Sequence, residues 1–358
     1  MGNGEGNRES KGDEQAKKQR RRAWAMSDTE LNSRERSGKA AGAEWPSLAV
    51  LIPTLNRPHD LTVAVRTLLE QSVLPRELIV VDQSPTDDSE CAVRALFAER
   101  ATRTEQTELT ERAAQICLRY MRDPSITGLA VARNVALAQN RCGIFLFLDD
   151  DVELERDFIE RLLEGYADDP GVTGISGIIT NYKPGGLANR AWQWMFVHGP
   201  FHDERQGLYH RAEELRGAGR IAVSRFGGGL MSFRADRVGG LRFDENLRGA
   251  SEGEDVDFCM HLPAGARLEI DPRARLVHNV STAARKNEHW IASVVRGNSY
   301  LYYRNWRRGL GNRMAFVWLM TGYAILATMA SVRRGSLAPW KAFTAAMRYG
   351  KRVGLGKG

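Results

Sequence analysis

The segment FLFLDDDVEL at residues 145–154 constrains this chain most. Four large apolar residues, Phe145 to Leu148, run without interruption into three acids, Asp149, Asp150 and Asp151. An unbroken apolar run predicts a strand buried on both faces, as in a parallel sheet. Such a strand delivers its acids to one edge of the sheet. Adjacent carboxylates repel, and a divalent ion bridging them to a phosphate relieves that repulsion. In a strand extended through all three acids, Asp149 and Asp151 share a face and Asp150 points elsewhere; a turn after the strand would change this. The competing reading is an acidic N-cap for a helix that follows.

The flanking pattern alternates. Apolar runs at 48–52 and 78–81 predict further buried strands, and 118–121 a shorter one. Helices are predicted over 60–71, 89–99, 129–140 and 154–166, with another strand at 172–179. This order specifies an α/β fold with a mostly parallel central sheet and ligands at the carboxyl ends of its strands. Beyond residue 180 the pattern loosens into an aromatic insert over 182–215, expected near the site. A Gly227-Gly228-Gly229 run follows, then a helix over 254–262 and two short strands at 267–270 and 274–277.

Three regions follow from composition. Residues 1–44 are polar and basic without apolar periodicity, and are expected to be disordered. Residues 45–285 carry the α/β pattern. Residues 286–358 form a basic, apolar, helical tail. From Arg304 onward there are eleven Lys and Arg and no Asp or Glu, so the net charge of +7 resides in the tail and the rest is slightly acidic. Within the tail, residues 314–332 hold no charge and are bracketed by Arg313 and Arg333-Arg334. That length is at the threshold for spanning a bilayer, and the flanking Trp and Tyr suit an interface. The expectation is a helix lying on an anionic membrane surface; a core or oligomer helix is the other reading. The four cysteines show neither close pairing nor zinc spacing, which suits a reducing compartment. With no apolar leader near the N-terminus, the expected location is cytoplasmic, peripheral on the inner face of the cell membrane. Nucleic acid is not expected as a partner, because the candidate site is acidic and the basic excess sits beside an apolar segment.

Candidate site residues lie at predicted strand and helix ends. Thr54 and Asn56 end the first strand and offer polar contacts, or ordinary loop capping. Asp82 ends the second and can accept hydrogen bonds from a base or sugar hydroxyl. Arg133 and Asn134 open a helix after Gly128, where a guanidinium reaches phosphate or forms a surface salt bridge. Asp255 is the candidate general base, with Glu254 holding an acceptor or tuning it; an acidic first turn is the plainer reading. Gly228 and Gly229 permit close backbone approach to a ligand. His278 either completes a metal site with Asp149 and Asp151 or is a structural histidine.

Seven fragments in order, VLIPTLNRP, ELIVVDQSPTDDS, GLAVARNVALAQN, FLFLDDDVEL, FGGGLMSFRAD, LRFDENLRGASEGEDVDFCMHL and PRARLVH, resemble a bacterial family 2 glycosyltransferase of the GT-A fold. They cover about residues 47–280. The resemblance implies a nucleotide-diphosphate sugar donor, Mg²⁺ or Mn²⁺, and inversion at the anomeric carbon. It implies that Asp82 contacts the nucleotide and that Asp149 and Asp151 contact ribose and the diphosphate-bound metal. Asp255 is implied as the base, and Glu254 as its acceptor-side neighbour. The acceptor implied is a glycan, a lipid-linked sugar or a small-molecule hydroxyl. The Gln-any-any-Arg-Trp motif of processive synthases is missing, which argues for transfer of one or a few sugars. A nucleotidyltransferase and a non-catalytic glycan- or nucleotide-binding scaffold are the alternatives.

Overall fold

The computed structural model describes residues 45–102, 116–182, 185–197, 199–201, 215, 217–247, 253–279, 290–306 and 309–356. The expected disordered leader, 1–44, lies outside them. Met1–Trp45 and Pro46–Gly358 are separate units, and the architecture below belongs to the second.

The strands are β1 (Leu48–Thr54), β2 (Glu77–Asp82), β3 (Cys117–Arg122), β4 (Ile144–Leu148), β5 (Val152–Leu154), β6 (Gly174–Ile179), β7 (Ile221–Val223), β8 (Leu230–Arg234) and β9 (Leu268–His278). Their order in one sheet is β3-β2-β1-β4-β8-β6-β9-β5, with β7 added on β9. β1 to β4 pair in parallel, β8 runs antiparallel between β4 and β6, and β6 and β9 are parallel. The sheet is therefore mixed but mostly parallel at the half that carries the acids.

Helices α1 (Pro58–Leu69), α2 (Asp88–Thr102), α3 (Leu129–Gln139) and α4 (Phe158–Asp168) supply the crossovers. Every residue of β1, β2 and β4 is buried, which explains why their sequences are unbroken apolar runs rather than alternating ones. Alternation survives as two faces. Val50, Ile52, Leu78, Val80, Leu146 and Leu148 pack with Leu61 and Leu68 of α1 and Phe158 and Leu162 of α4. Ala49, Leu51, Ile79, Val81, Phe145 and Phe147 pack with Ala132 and Ala136 of α3 and with Phe233, Phe243 and Phe258.

Two expectations for local structure differ. The predicted helix over 154–166 starts four residues later, because Val152 and Leu154 are buried and Glu153 exposed, the period of an edge strand pairing β9. The two predicted strands at 267–270 and 274–277 are one strand, β9. Pro272 offers no N–H, and pairing with β6 shifts register between Ser176 and Ile178 at that level. The Asp271 carboxylate accepts the Arg273 N–H, bridging the interruption.

The tail folds as α7 (Trp290–Leu301), a π-helical turn at Tyr302–Trp306, α8 (Leu310–Arg334) and α9 (Ala338–Gly354). Gly335, at φ 58°, ends α8 in the left-handed conformation that favours glycine. Val295, Tyr300, Phe316, Leu319, Tyr323, Phe343 and Val353 form a third core. The aromatic insert contributes α5 (Leu187–Phe196), whose Trp192 ring lies tilted against Tyr323 and whose Phe196 lies against Trp318. Trp192, Phe196 and Phe201 of the insert thus lie against α8.

Candidate active site

The sheet brings the candidate residues to one edge. Thr54 and Asp82 are direct partners at the parallel ends of β1 and β2, and β4 ends beside them at Leu148. Because β8 is antiparallel to β4, it begins at that same edge: Leu230 pairs with Leu148, and Gly228 and Gly229 enter just before it. β9 ends there too, with His278 opposite Val152, directly after the three acids.

The acids separate by a turn, not by continued strand. Asp150 turns inward, where Thr54 donates to its Oδ2 at 2.7 Å and Arg57 to its Oδ1 at 3.0 Å. Burial is the main reason its carboxyl is pushed up to about 6; Thr54 and Arg57 pull it down, and Asp151 and Asp149 push it further up. Asp151 receives Arg57 on Oδ2 at 2.9 Å and His278 Nε2 on Oδ1 at 2.8 Å. Burial raises this carboxyl as well, but His278 and Arg57 outweigh it and hold Asp151 below its ordinary range. Asp149 is the most open of the three, with Oδ2 3.9 Å from His278 Nε2.

Asp149, Asp151 and His278 each present a ligand atom, and these atoms all lie within 4.8 Å of one another. Two carboxylates and an imidazole fit a divalent cation, and the oxygen-rich donor set suits Mg²⁺ or Mn²⁺. Asn181 and His278 exchange side-chain-to-backbone hydrogen bonds that hold the end of β9.

A buried arginine ties this group to the second acidic pair. α6 (Glu254–Met260) starts after Gly253, whose φ of 105° excludes most other residues. Glu254 is buried in its first turn and accepts Arg133 Nη1 at 2.7 Å. Arg133 Nη2 reaches Asp149 Oδ1 at 3.3 Å and also the Gly228 carbonyl. Its guanidinium lies over the rings of Phe147 and Phe243. Desolvation first, then Asp255, pushes the Glu254 carboxyl upward against the pull of Arg133. Burial likewise raises Asp255, whose Oδ1 accepts the Val256 N–H at 2.8 Å.

The glycines lie between the two acidic groups. A Cβ on Gly229 would come within 2.6 Å of Asp149 Oδ2, and one on Gly228 within 3.2 Å of Glu254 Oε1 and 3.3 Å of Asp255 Oδ2. Asp149, Gly229, Gly228 and Asp255 are thus one continuous surface.

Thr54, Asn56 and Asp82 lie at the rim ends of β1 and β2, with Thr54 and Asp82 below its surface. Asp82 is fully buried and accepts the Ser84 N–H at 2.8 Å and the Tyr120 hydroxyl at 2.7 Å. Asn56 holds a φ of 56°, and its N–H donates to Ser84. Asn134 is not at the site surface: its side chain pairs with the Phe243 backbone in both directions.

Arg57 and Tyr120 are participants that the strand-end reasoning does not single out. Arg57 had a signal, since a cation in the loop after β1 sits at the edge that receives three acids. Tyr120 had none, because its link to Asp82 depends on β2 and β3 pairing in register.

The profile described as glycosyl transferase family 2 matches residues 49–238. A pre-mycofactocin glycosyltransferase of Mycobacterium tuberculosis is 29% identical over 256 residues, covering 70% of this chain and 46% of that protein. The succinoglycan biosynthesis protein ExoM of Rhizobium meliloti is 31% identical over 169 residues, 46% of this chain and 49% of that protein. The chain therefore spans about half the length of these curated relatives. The mannosyltransferase PcManGT of Pyrobaculum calidifontis, solved with GDP-Man and Mn²⁺, aligns over 91% of this chain and 93% of its own. It does so with a TM-score of 0.50 and 19% identity, a likeness of fold.

Proposed function

The chain belongs to glycosyl transferase family 2, whose profile covers more than half of it, and from that premise we propose an inverting transfer of one sugar. The donor is a nucleotide-diphosphate sugar, and the acceptor a hydroxyl of a glycan, a lipid-linked sugar or a small molecule. One observation carries this reading: the Asp149–Asp151–His278 group and the Glu254–Asp255 pair adjoin one another across Gly228 and Gly229.

The roles follow from position. Asp82 marks the nucleoside end; fully buried, it orients the Ser84 backbone and the Tyr120 hydroxyl there, and a direct contact with the nucleoside requires one of these to give way. Thr54 and Asn56 border the same rim. Asp149, Asp151 and His278 would hold Mg²⁺ or Mn²⁺, which when bound neutralises the departing diphosphate. Gly228 and Gly229 admit the donor close to the backbone.

Asp255 takes the proton from the acceptor hydroxyl as its oxygen attacks the anomeric carbon from the side opposite the diphosphate. Backside attack inverts that centre. A carboxyl raised by burial suits a base working near neutral pH. Glu254, pinned by Arg133, positions the turn that carries Asp255 and contributes negative charge beside it. Arg133 in this account braces the two acidic groups and does not reach phosphate.

The test is donor turnover with a nucleotide-sugar panel, with the anomeric configuration of the product read by NMR, on the parent and Asp255→Asn. Loss of transfer with donor binding retained supports the reading. Release of a sugar 1-phosphate with a nucleotidyl product would instead indicate nucleotidyl transfer, and binding with no turnover of any donor a scaffold.

A further inference from the structure

Helix α8 is amphipathic in the wrong sense for a helix on the surface of a water-soluble body. Ala315, Phe316, Leu319, Met320, Tyr323 and Ala327 face inward to the third core. The opposite face repeats at intervals of three and four residues: Leu310, Met314, Val317, Thr321, Ile325, Thr328 and Val332. A surface helix ordinarily carries its charges there. This face carries none between 314 and 332. It leaves Val317 63%, Ile325 43%, Met329 62% and Val332 78% exposed.

The helix also cannot be treated as a free span. One side is committed to α5, α7, α9 and the Tyr302–Trp306 turn, with Tyr302 stacked on Phe316 3° from parallel and Trp192 tilted against Tyr323. Withdrawing it into a bilayer core would unpack those contacts. Its 25 residues make a rod of about 37 Å, apolar along one side and closed at both ends by Arg313 and by Arg333-Arg334.

We propose that the outward face of α8 docks in the plane of an anionic lipid bilayer, with its apolar side chains at the acyl boundary. The charge of the surroundings selects that occupant. From Arg304 to the end of the chain there are eleven cationic side chains and no acid; Lys341, Arg348, Lys351 and Arg352 of the adjoining α9 are exposed. A second copy would set this wholly cationic tail against itself. An anionic headgroup layer complements it and receives the apolar stripe beneath. The proposal stands apart from the sugar-transfer reading, since it concerns a different surface.

Full-length protein is co-sedimented with vesicles of phosphatidylcholine alone or mixed with phosphatidylglycerol, at about 0.1 M and about 0.5 M salt, conditions that differ in Debye screening. Binding to the mixed vesicles is expected, weakened by salt and absent from phosphatidylcholine. Val317→Glu combined with Ile325→Glu is expected to reduce the partition coefficient at least about tenfold. Both positions are solvent-facing, and an unchanged circular-dichroism melt shows the variant folded. Lys341→Glu with Arg348→Glu gives a second, purely electrostatic arm in which binding also drops. Equal binding of parent and both variants, or no binding to anionic vesicles, overturns the proposal. So does a dimer in sedimentation velocity that the Val317→Glu/Ile325→Glu variant abolishes, which would assign the face to a second copy. Resistance to carbonate extraction would overturn it in favour of a spanning helix.

Discussion

Two arginines meet the same run of acids from opposite sides, and they differ in burial. Arg133, on α3, is 1% exposed, sandwiched near Phe147 and Phe243, and bonded to Glu254, Asp149 and the Gly228 carbonyl. Arg57, in the loop after β1, is 35% exposed and bonded to Asp150 and Asp151. The first pairing is shielded from water, so removing the cation strands buried carboxylates. In the second only the guanidinium is partly open to water; its carboxylates are buried, but Thr54 stays on Asp150 and His278 on Asp151, so less is stranded when the cation is lost. The site thus has a rigid half, Arg133 with Glu254 and Asp255, and an adjustable half, Arg57 with Asp150 and Asp151. The proposed chemistry follows this division in part: proton transfer lies on the rigid side, while the metal group spans both, since Asp149 bonds Arg133 and Asp151 bonds Arg57.

The largest effect expected is chemical and falls on the rigid half. Asp255→Asn should lower the transfer rate by about 10²- to 10⁴-fold, the range of a lost general base, with the unfolding midpoint nearly unchanged. A full-rate variant would remove Asp255 from the chemistry and break the division of roles. Next, Arg133→Met should cost roughly 3–5 kcal/mol in urea unfolding, because it leaves Glu254 buried without its cation. Arg133→Met with Glu254→Gln should recover part of that loss; if the double variant is no better than the single, the pairing is not what holds this half together.

Smaller effects test the adjustable half. Gly229→Ala places a methyl against Asp149 Oδ2 and should weaken Mn²⁺ binding about 10- to 100-fold by calorimetry, the scale for a disturbed ligand support, while leaving the melt close to the parent. Smallest is Arg57→Ala, expected to cost less in urea unfolding than Arg133→Met because Thr54 and His278 keep their hold on its two acids. Its signature is in titration. Asp150 already sits at about 6 in part because burial outweighs Arg57, so losing that cation should move its carboxyl further up in a ¹³C NMR titration. A stability loss as large as that of Arg133→Met would erase the contrast between the two arginines.

Much of the acidic edge was legible because it is local. The run Phe145 to Asp151 announces a buried strand and its acids with no tertiary information, and VLIPTLN and ELIVVD do the same for β1 and β2. Gly253 before Glu254 and Asp255 marks a helix start. What stayed hidden depends on pairing between distant segments. On the helix alone Arg133 reads as a phosphate contact or a surface salt bridge; that it is buried depends on Gly228 and Glu254, 95 and 121 residues away. Asn134 is spent on Phe243 for the same reason. Val152 to Leu154 belong to a strand rather than a helix because β9 lies beside them.

The tail shows the same boundary in apolar form. Hydropathy and charge along 304–358 determined that the region is helical, cationic and acid-free, since those are properties of residues in order. Which side of α8 stays outward depended on α5, α7 and α9 covering the other, and no one-dimensional pattern encodes that. By itself the sequence determined β1, β2 and β4, the acids at their ends and the family, because short-range periodicity and side-chain chemistry suffice for these. The tertiary structure alone decided which charges are buried and which face is left bare, because burial is a property of what other segments bring, and it governs what each charge and each apolar side chain contributes.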